Sequence, residues 1–209
     1  MNVVIIGAGG HGRVVLDIFR AEGRHKVVGF LDADAALVGS LIDDVEVLGP
    51  VNMLTRLKSR RVTGVCIAIG DNRVRQQYAT EVRSAGLEII SAIHPSAVVA
   101  SGSKLEAGVV VCAQAVVCVQ ARIGEASIVN TGAIVDHECV LAAAVHICPG
   151  AILAGRVRVG ARAFIGLGAR VIQCLEIGDD AMIAAGAVVV RSVATGTRVA
   201  GVPARPMRH

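Results

Sequence analysis

From Ser96 to Arg191 the chain repeats every six residues with no insertion, beginning SAVVAS, GSKLEA, GVVVCA, QAVVCV and ending CLEIGD, DAMIAA, GAVVVR. The fourth place of all sixteen hexamers is Val, Leu or Ile, from Val99, Leu105 and Val111 through Val135, Leu141 and Ile147 to Ile177, Ile183 and Val189. The second place is small or β-branched (Ala97, Ala115, Ala133, Ala151, Ala169, Ala187), with Leu175 the one large exception. A helix repeats near 3.6 and a flat strand repeats at 2, so neither keeps an aliphatic side chain on one side at intervals of six. A coil of short strands does, and its stacked turns bury one continuous ladder. The expected architecture of this half is a parallel β-helix of triangular section, with place four inward and place two closing the corner.

The repeat resembles that of known hexapeptide-repeat proteins. This likeness implies a left-handed coil, three hexamers per turn, about five turns in all, and assembly as a homotrimer. It also accounts for the composition. The chain is 54% hydrophobic with mean hydropathy +0.64, yet no window offers the roughly 18 to 20 uninterrupted apolar residues of a membrane span. Gln114, Gln120, Arg122 and Glu125 interrupt the best candidate. MNVVIIGAGGHG has no basic segment before its apolar run, unlike a signal peptide, so a cytoplasmic protein is expected.

Residues 2–93 follow a different rule. NVVII, KVVGFL, GVCIAI and LEII alternate with amphipathic stretches at about 11–22, 53–59 and 72–85. That order predicts about four strands of a small parallel sheet with helices on its faces, an α/β Rossmann-like unit. The expected division is 1–93 for this nucleotide-sugar-binding unit, 94–197 for the β-helix and 198–209 for a C-terminal tail.

GAGGHG at 7–12 satisfies GxGxxG between a strand and a helix, and Asp32 ends the second strand. The physics is general: glycines let backbone N–H groups approach a phosphate at a helix N-terminus. The ligand could be a nucleotide sugar or NAD, or the turn could be structural. A dehydrogenase needs a second half-fold to seat its nicotinamide, and here the chain enters the repeat instead. A nucleotide sugar is therefore favoured, with Gly9, Gly10, His11, Asp32 and, in the later AIGDN, Gly70 as contacts.

Six cysteines show no CxxC pair and sit among aliphatic neighbours, as small hydrophobes do. No metal is expected. Aromatic residues make up 2% of the chain and net charge is +4, which leaves few rings to stack bases and argues against nucleic acid.

One polar row interrupts the apolar half: Asp136, His137 and Glu138, at places five, six and one, project outward at a corner. Acidic corners are ordinary, but an imidazole beside a carboxylate can accept a proton near neutral pH. Gly155 follows His137 by eighteen residues and falls one turn along at the same corner. Its N–H can stabilise an oxyanion there, so base and donor together suggest acyl transfer.

GAGGHGRVV, FLDAD, AIGDNRVR, IHPSA, VNTGAIVDHECVLAAAVHICPGAILAG and VAGVPARPM together resemble the bacterial sugar O/N-acyltransferase family over nearly the full chain. The resemblance implies an acetyl-CoA-dependent enzyme with His137 as general base and Glu138 raising its basicity. It places Asn130 as a polar contact nearby. It assigns Gly9, Gly10, His11, Asp32 and Gly70 to the nucleotide sugar. His146, Leu167 and Ala185 fall to acetyl-CoA, at a seam between chains. An amine acceptor, a hydroxyl acceptor and a non-catalytic binding protein remain open at this level.

Overall fold

The computed structural model describes residues 1–57 and 61–207. Its N-terminal part holds β1 (Asn2–Ile6), α1 (Gly10–Glu22), β2 (Lys26–Leu31), β3 (Leu41–Ile42), β4 (Val45–Gly49), β5 (Gly64–Ile67), α2 (Asn72–Ser84) and β6 (Glu88–Ile89). The strands form one sheet in the order β3-β4-β2-β1-β5-β6, parallel throughout except for the β3–β4 pair. The sheet is thus six strands wide rather than about four: β3 has only two residues, and Glu46 breaks the apolar run of the five-residue β4. The stretch expected as a helix at 53–59 is a 3₁₀ helix over Val51–Arg56, and Ser59 lies outside the described residues. Pro50 starts it with a fixed φ, and six residues are too few to build three turns of α-helix.

Beyond Ile90 the chain winds as a parallel β-helix with three flat faces. Face one carries two-residue strands at Ala92–Ile93, Val110–Val111, Ile128–Val129, His146–Ile147, Phe164–Ile165 and Met182–Ile183. Face two runs from Val98–Val99 through Ile134–Val135 to Val188–Val189, and face three from Lys104–Leu105 through Val140–Leu141 to Glu176–Ile177. Each strand pairs with the residue eighteen positions on, as in Val110↔Ile128 and Ile128↔His146. The coil starts one hexamer earlier than the repeat was read, because Ala92–Ile93 already pairs with Val110–Val111. The stretch expected as a tail instead ends in a hairpin: Arg198–Gly201 pairs with Met182–Ile183 and turns back as Ala204–Pro206.

Place four is inward on every turn, and the residues from Val111 to Val189 are at most 3% exposed. Each such side chain contributes roughly 1.5–3 kcal/mol of burial before entropy is subtracted. Every first place from Gly108 to Gly186 has φ near +60°, and nine of these fourteen residues are not glycine. A positive φ at the third residue of a tight turn is what a type II turn demands. Ala133 N–H donating to Asn130 O closes such a turn at 2.9 Å. The corner geometry is set by the stacked ladder and not by glycine content.

The two halves share a core. Val3, Val15 and Phe19 of the sheet side pack with Ala92, Val110, Cys112 and Ile128, the outward residues of face one. Within the glycine loop the four glycines divide. A Cβ on Gly12 would lie 2.0 Å from Gly7 O, while one on Gly9 or Gly10 meets nothing within 4 Å. Gly12→Ala should therefore lower the melting temperature markedly, on the scale of a buried clash, about 1–3 kcal/mol. Gly10→Ala, in the first turn of α1, should leave it unchanged or slightly raised. Thermal denaturation of the two variants side by side checks this, and equal losses would contradict the packing.

Candidate active site

The corner between faces two and three presents His137. Its backbone N–H donates to Asp136 Oδ1 at 2.7 Å, which fixes the turn. Glu138 takes the left-handed corner position with φ 59°, so its carboxylate folds back onto the ring. Its Oε2 lies 2.9 Å from His137 Nδ1 and also accepts from Arg156 Nε at 2.9 Å. These two hydrogen bonds, His137 first and Arg156 second, hold the Glu138 carboxyl below the usual range. A carboxylate only accepts, so it selects the tautomer with Nδ1–H and leaves the Nε2 lone pair free.

Gly155 sits one turn along, and its smallness is required. A Cβ there would stand 2.4 Å from His137 Nε2. Arg156 N–H donates to His137 O and Cys174 N–H to Gly155 O, whereas no described residue accepts the Gly155 N–H. A free imidazole nitrogen and a free backbone donor thus meet at one exposed corner. Beside it, on face three, lies a groove of about 810 Å³ lined by Lys104, Arg122, Glu138, Arg156 and Arg158.

A second group gathers where the C-terminal ends of β1, β2 and β5 meet face one. Gly9 and Gly10 are exposed at the start of α1, and Gly70 is exposed after β5. Asp32 serves the loop itself: Oδ2 accepts from Ala8 N–H at 2.7 Å and Oδ1 from Asp34 N–H at 2.9 Å. His146 points outward from its strand as the register requires, but the N-terminal half covers it and leaves 9% exposed. Its ring meets Phe164 edge-on at 5.4 Å, and Asn130 Nδ2 donates to its Nε2 at 3.2 Å. Asn130 thus lies beside His146 and not beside His137 of the same chain. Its place at the corner between faces one and two puts it one corner away from the base. Leu167 and Ala185 form an exposed ladder eighteen residues apart at that same corner.

Burial pushes the His11 imidazole down to about 4, with Arg75 nearby adding to the effect. His146 is pushed down to about 3 by burial, then by Arg75 and His11, while the Gly70 carbonyl pulls weakly the other way. His11 Nε2 and His146 Nδ1 are buried without a full hydrogen bond among the described residues, an arrangement that calls for a polar partner.

The two groups do not meet within one chain. His137 lies on the corner opposite face one, the face that holds the glycine loop, His11, Gly70 and His146. Two features escaped the sequence reading. Arg75 occupies the inward stripe Asn72, Arg75, Ala79, Val82 of α2, where the helical period flags an arginine in a core position. Face two presents a column of Val98, Val116, Ile134, Ile152, Arg170 and Val188, apolar on every turn but the one that bears Arg170, legible as the third places of every third hexamer. Among the described residues no group of three or more His, Cys, Asp or Glu is placed to hold a metal ion, and no helix is long and apolar enough to cross a membrane.

Residues 2–82 match the family described as the PglD N-terminal domain. The chain is 35% identical over 114 residues to UDP-N-acetylbacillosamine N-acetyltransferase of Bacillus subtilis (strain 168), a match covering 54% of this chain and 51% of that one. The alignment therefore spans about half the length of that curated relative. The fold is similar to a mutant of GDP-perosamine N-acetyl transferase from Caulobacter crescentus in complex with CoA and GDP-perosamine. That likeness has TM-score 0.96 and 42% identity over 100% of this chain and 98% of the other. It is also similar to the acetyltransferase domain of PglB from Neisseria gonorrhoeae FA1090 in complex with acetyl coenzyme A, with TM-score 0.91 and 37% identity over 99% and 98% of the two chains.

The buried neutral histidines have a consequence for stability. An unfolded chain protonates them near 6.5, the folded one only near 4 and 3. Below about 6.5 the unfolded state binds more protons, so stability falls as pH drops through that window. The melting temperature should decline between pH 7 and 5, and the decline should be shallower in His146→Gln. A melting temperature that is flat with pH in both proteins would contradict the burial.

Proposed function

Because the chain belongs to the hexapeptide-repeat sugar N-acetyltransferases, we propose that it transfers the acetyl group of acetyl-CoA to the 4-amino group of a nucleotide-linked amino-dideoxy sugar. The observation that carries the reading is the His137–Glu138–Gly155 corner, with its free Nε2 and free N–H. The corner stands on a chain whose full length superposes on an enzyme crystallised with CoA and GDP-perosamine.

In this reading the acceptor amine, held by Gly9, Gly10, His11 and Gly70, attacks the thioester carbonyl of acetyl-CoA. His137 Nε2 takes the proton that the amine loses as the C–N bond forms. The tetrahedral oxyanion rests on the Gly155 N–H. The C–S bond then breaks, and the proton held on His137 passes to the departing CoA thiolate. Glu138 keeps the tautomer and, as an anion, favours the transient imidazolium. Asp32 acts through the loop by holding Ala8 and Asp34. Asn130 contacts the bound substrates from beside His146. His146, Leu167 and Ala185 line the path of acetyl-CoA, with His146 at the border that path shares with the acceptor cleft. We assign residues 1–93 to acceptor binding and 94–197 to transfer, with the hairpin after them covering the end of the coil. Both substrates are soluble metabolites, and we place the reaction in the cytoplasm.

The site is completed by a second copy of the chain. Face one is covered by the N-terminal half, and face three carries Lys104, Arg122, Arg158 and Glu176. Face two offers a column of unpartnered aliphatic side chains broken by one residue, Arg170. Three chains packed through it form a closed homotrimer. The His137 corner of each then faces the Asn130–Leu167–Ala185 corner of the next.

Acetyl-CoA turnover against a panel of nucleotide-linked amino sugars and their 4-hydroxyl counterparts tests the reading, with thiol release as the signal. Turnover confined to the hydroxyl sugars would replace N-transfer by O-transfer. His137→Ala should lose about 10²–10⁴-fold in rate with acceptor binding retained, and full activity in that variant would sink the mechanism. Ile152→Arg, on face two, should give a smaller species by light scattering and no turnover, and a trimer of unchanged mass would reject this interface.

A further inference from the structure

Arg75 projects from the inward stripe of α2, and only 1% of it is exposed. Removing a guanidinium from water without an anion beside it is strongly unfavourable. Among the described residues none of the salt bridges involves it.

Neutral acceptors satisfy every N–H instead. Nε donates to Ala126 O at 2.6 Å, and Nη1 to Ile69 O at 2.8 Å and Gly70 O at 3.2 Å. Nη2 donates to Asn72 Oδ1 at 2.6 Å and Ala144 O at 2.9 Å, with Val145 O at 3.4 Å. Asn72 extends the clamp by donating to Arg162 O at 2.8 Å and Ala163 O at 3.1 Å. Residues 126, 144 and 162 stand on three successive turns of one corner. The pair therefore staples the loop after β5 to three coils at once.

We propose that Arg75, with Asn72, is the positioning residue of the acceptor site, locking the Ile69–Asn72 loop to the coil so that Gly70, His11 and His146 face one cleft. This rests on the acceptor reading above and deepens it. Arg75 touches no reacting atom and acts through the loop and the two imidazoles. The charged groups acting on the rings are Arg75 from α2 and, for His146, His11 from α1, while Arg75 itself faces Asp71 at the cap of α2 and Cys148 of the coil. The Arg75 charge opposes protonation of both histidines, so each meets a ligand as a neutral partner. Without that charge both would rise, while burial, the larger cause, would still hold them below the ordinary imidazole value.

Two variants separate geometry from charge. Arg75→Met removes both, and Arg75→Lys keeps the charge but offers three N–H groups in place of five. In Arg75→Met the acceptor KM should rise about tenfold or more while kcat, set by His137 on a neighbouring chain, stays within about threefold. The ring resonances of His11 and His146, silent above about pH 5 in the wild type, should titrate at least about one pH unit higher. In Arg75→Lys the histidines should stay low while the acceptor KM still rises. A purely structural role predicts a lower melting temperature with no movement of the histidines. Histidine titrations in Arg75→Met that superimpose on the wild type, or a loss confined to kcat, would overturn the proposal. Should Arg75→Met fail to fold, a wild-type histidine titrating near 6.5 or an unchanged acceptor KM in Arg75→Lys would overturn it equally. Absence of turnover with every acceptor in the wild type rejects the enzymatic reading, while the histidine titrations still decide whether Arg75 governs the cleft.

Discussion

Everything in this molecule depends on the inward ladder of place four. A branched aliphatic side chain every six residues, stacked eighteen residues apart, makes each turn bury its own contribution against the turns above and below. Because the ladder is satisfied by place four, with place two at the corner, the remaining places face outward and are free to vary. The same stacking holds nine non-glycine residues at positive φ, each about 1–2 kcal/mol unfavourable by itself. It can do so because every corner hydrogen bond is repeated on the next coil. Glu138 occupies one of those positions, and its fold-back onto His137 follows from that backbone conformation.

The outward places have three fates, one per face, and function follows from the differences. Face one is apolar at Val110 and Ile128 and takes the N-terminal half. Face three is charged and faces solvent. Face two is apolar except at Arg170 and is unpartnered in a single chain. The proposed catalytic corner between faces two and three is therefore remote from the glycine loop on its own chain, yet adjacent to face two. In the proposed trimer, burial of face two and completion of the site are the same event, so an isolated subunit would lack both a covered surface and a complete reaction centre.

Much of this was legible in the sequence because it depends on local chemistry with a period. The coil, its inward residues, the glycine loop and the His137 corner all appear as residue types at fixed spacing. What was not legible depends on one half of the chain meeting the other. His146 reads as a surface residue in the frame of its hexamer, and only the packing of the N-terminal half on face one buries it. Asn130 reads as a neighbour of His137, seven residues and one short strand away along the chain, but one corner of a triangular prism turns it toward His146. Arg75 reads as a solvent-facing arginine by type, and only its place in the stripe of α2 signals otherwise. Strand β3 was missed because Leu41–Ile42 is too short to show a period, and β4 because Glu46 breaks its apolar run.

The glycine loop illustrates how one motif can carry different chemistry. In GAGGHG, Gly12 is required by the approach of Gly7 O, while Gly7 meets Ala68 O at 2.7 Å from its would-be Cβ. Two of the four glycines thus serve strand and helix packing, leaving Gly9 and Gly10 for a ligand. Asp32, the acid that the dinucleotide reading assigns to a ribose hydroxyl, spends one oxygen on Ala8 N–H and the other on Asp34 N–H. A carboxylate can accept further bonds, but its present partners make it a strut of the loop. The fingerprint therefore specifies a backbone shape suited to a phosphate, and the identity of the ligand is decided by what stands opposite the loop. Here that is a wall of coil bearing Asn130, His146 and Phe164, a surface with hydrogen-bonding nitrogens and an aromatic edge that suits a sugar.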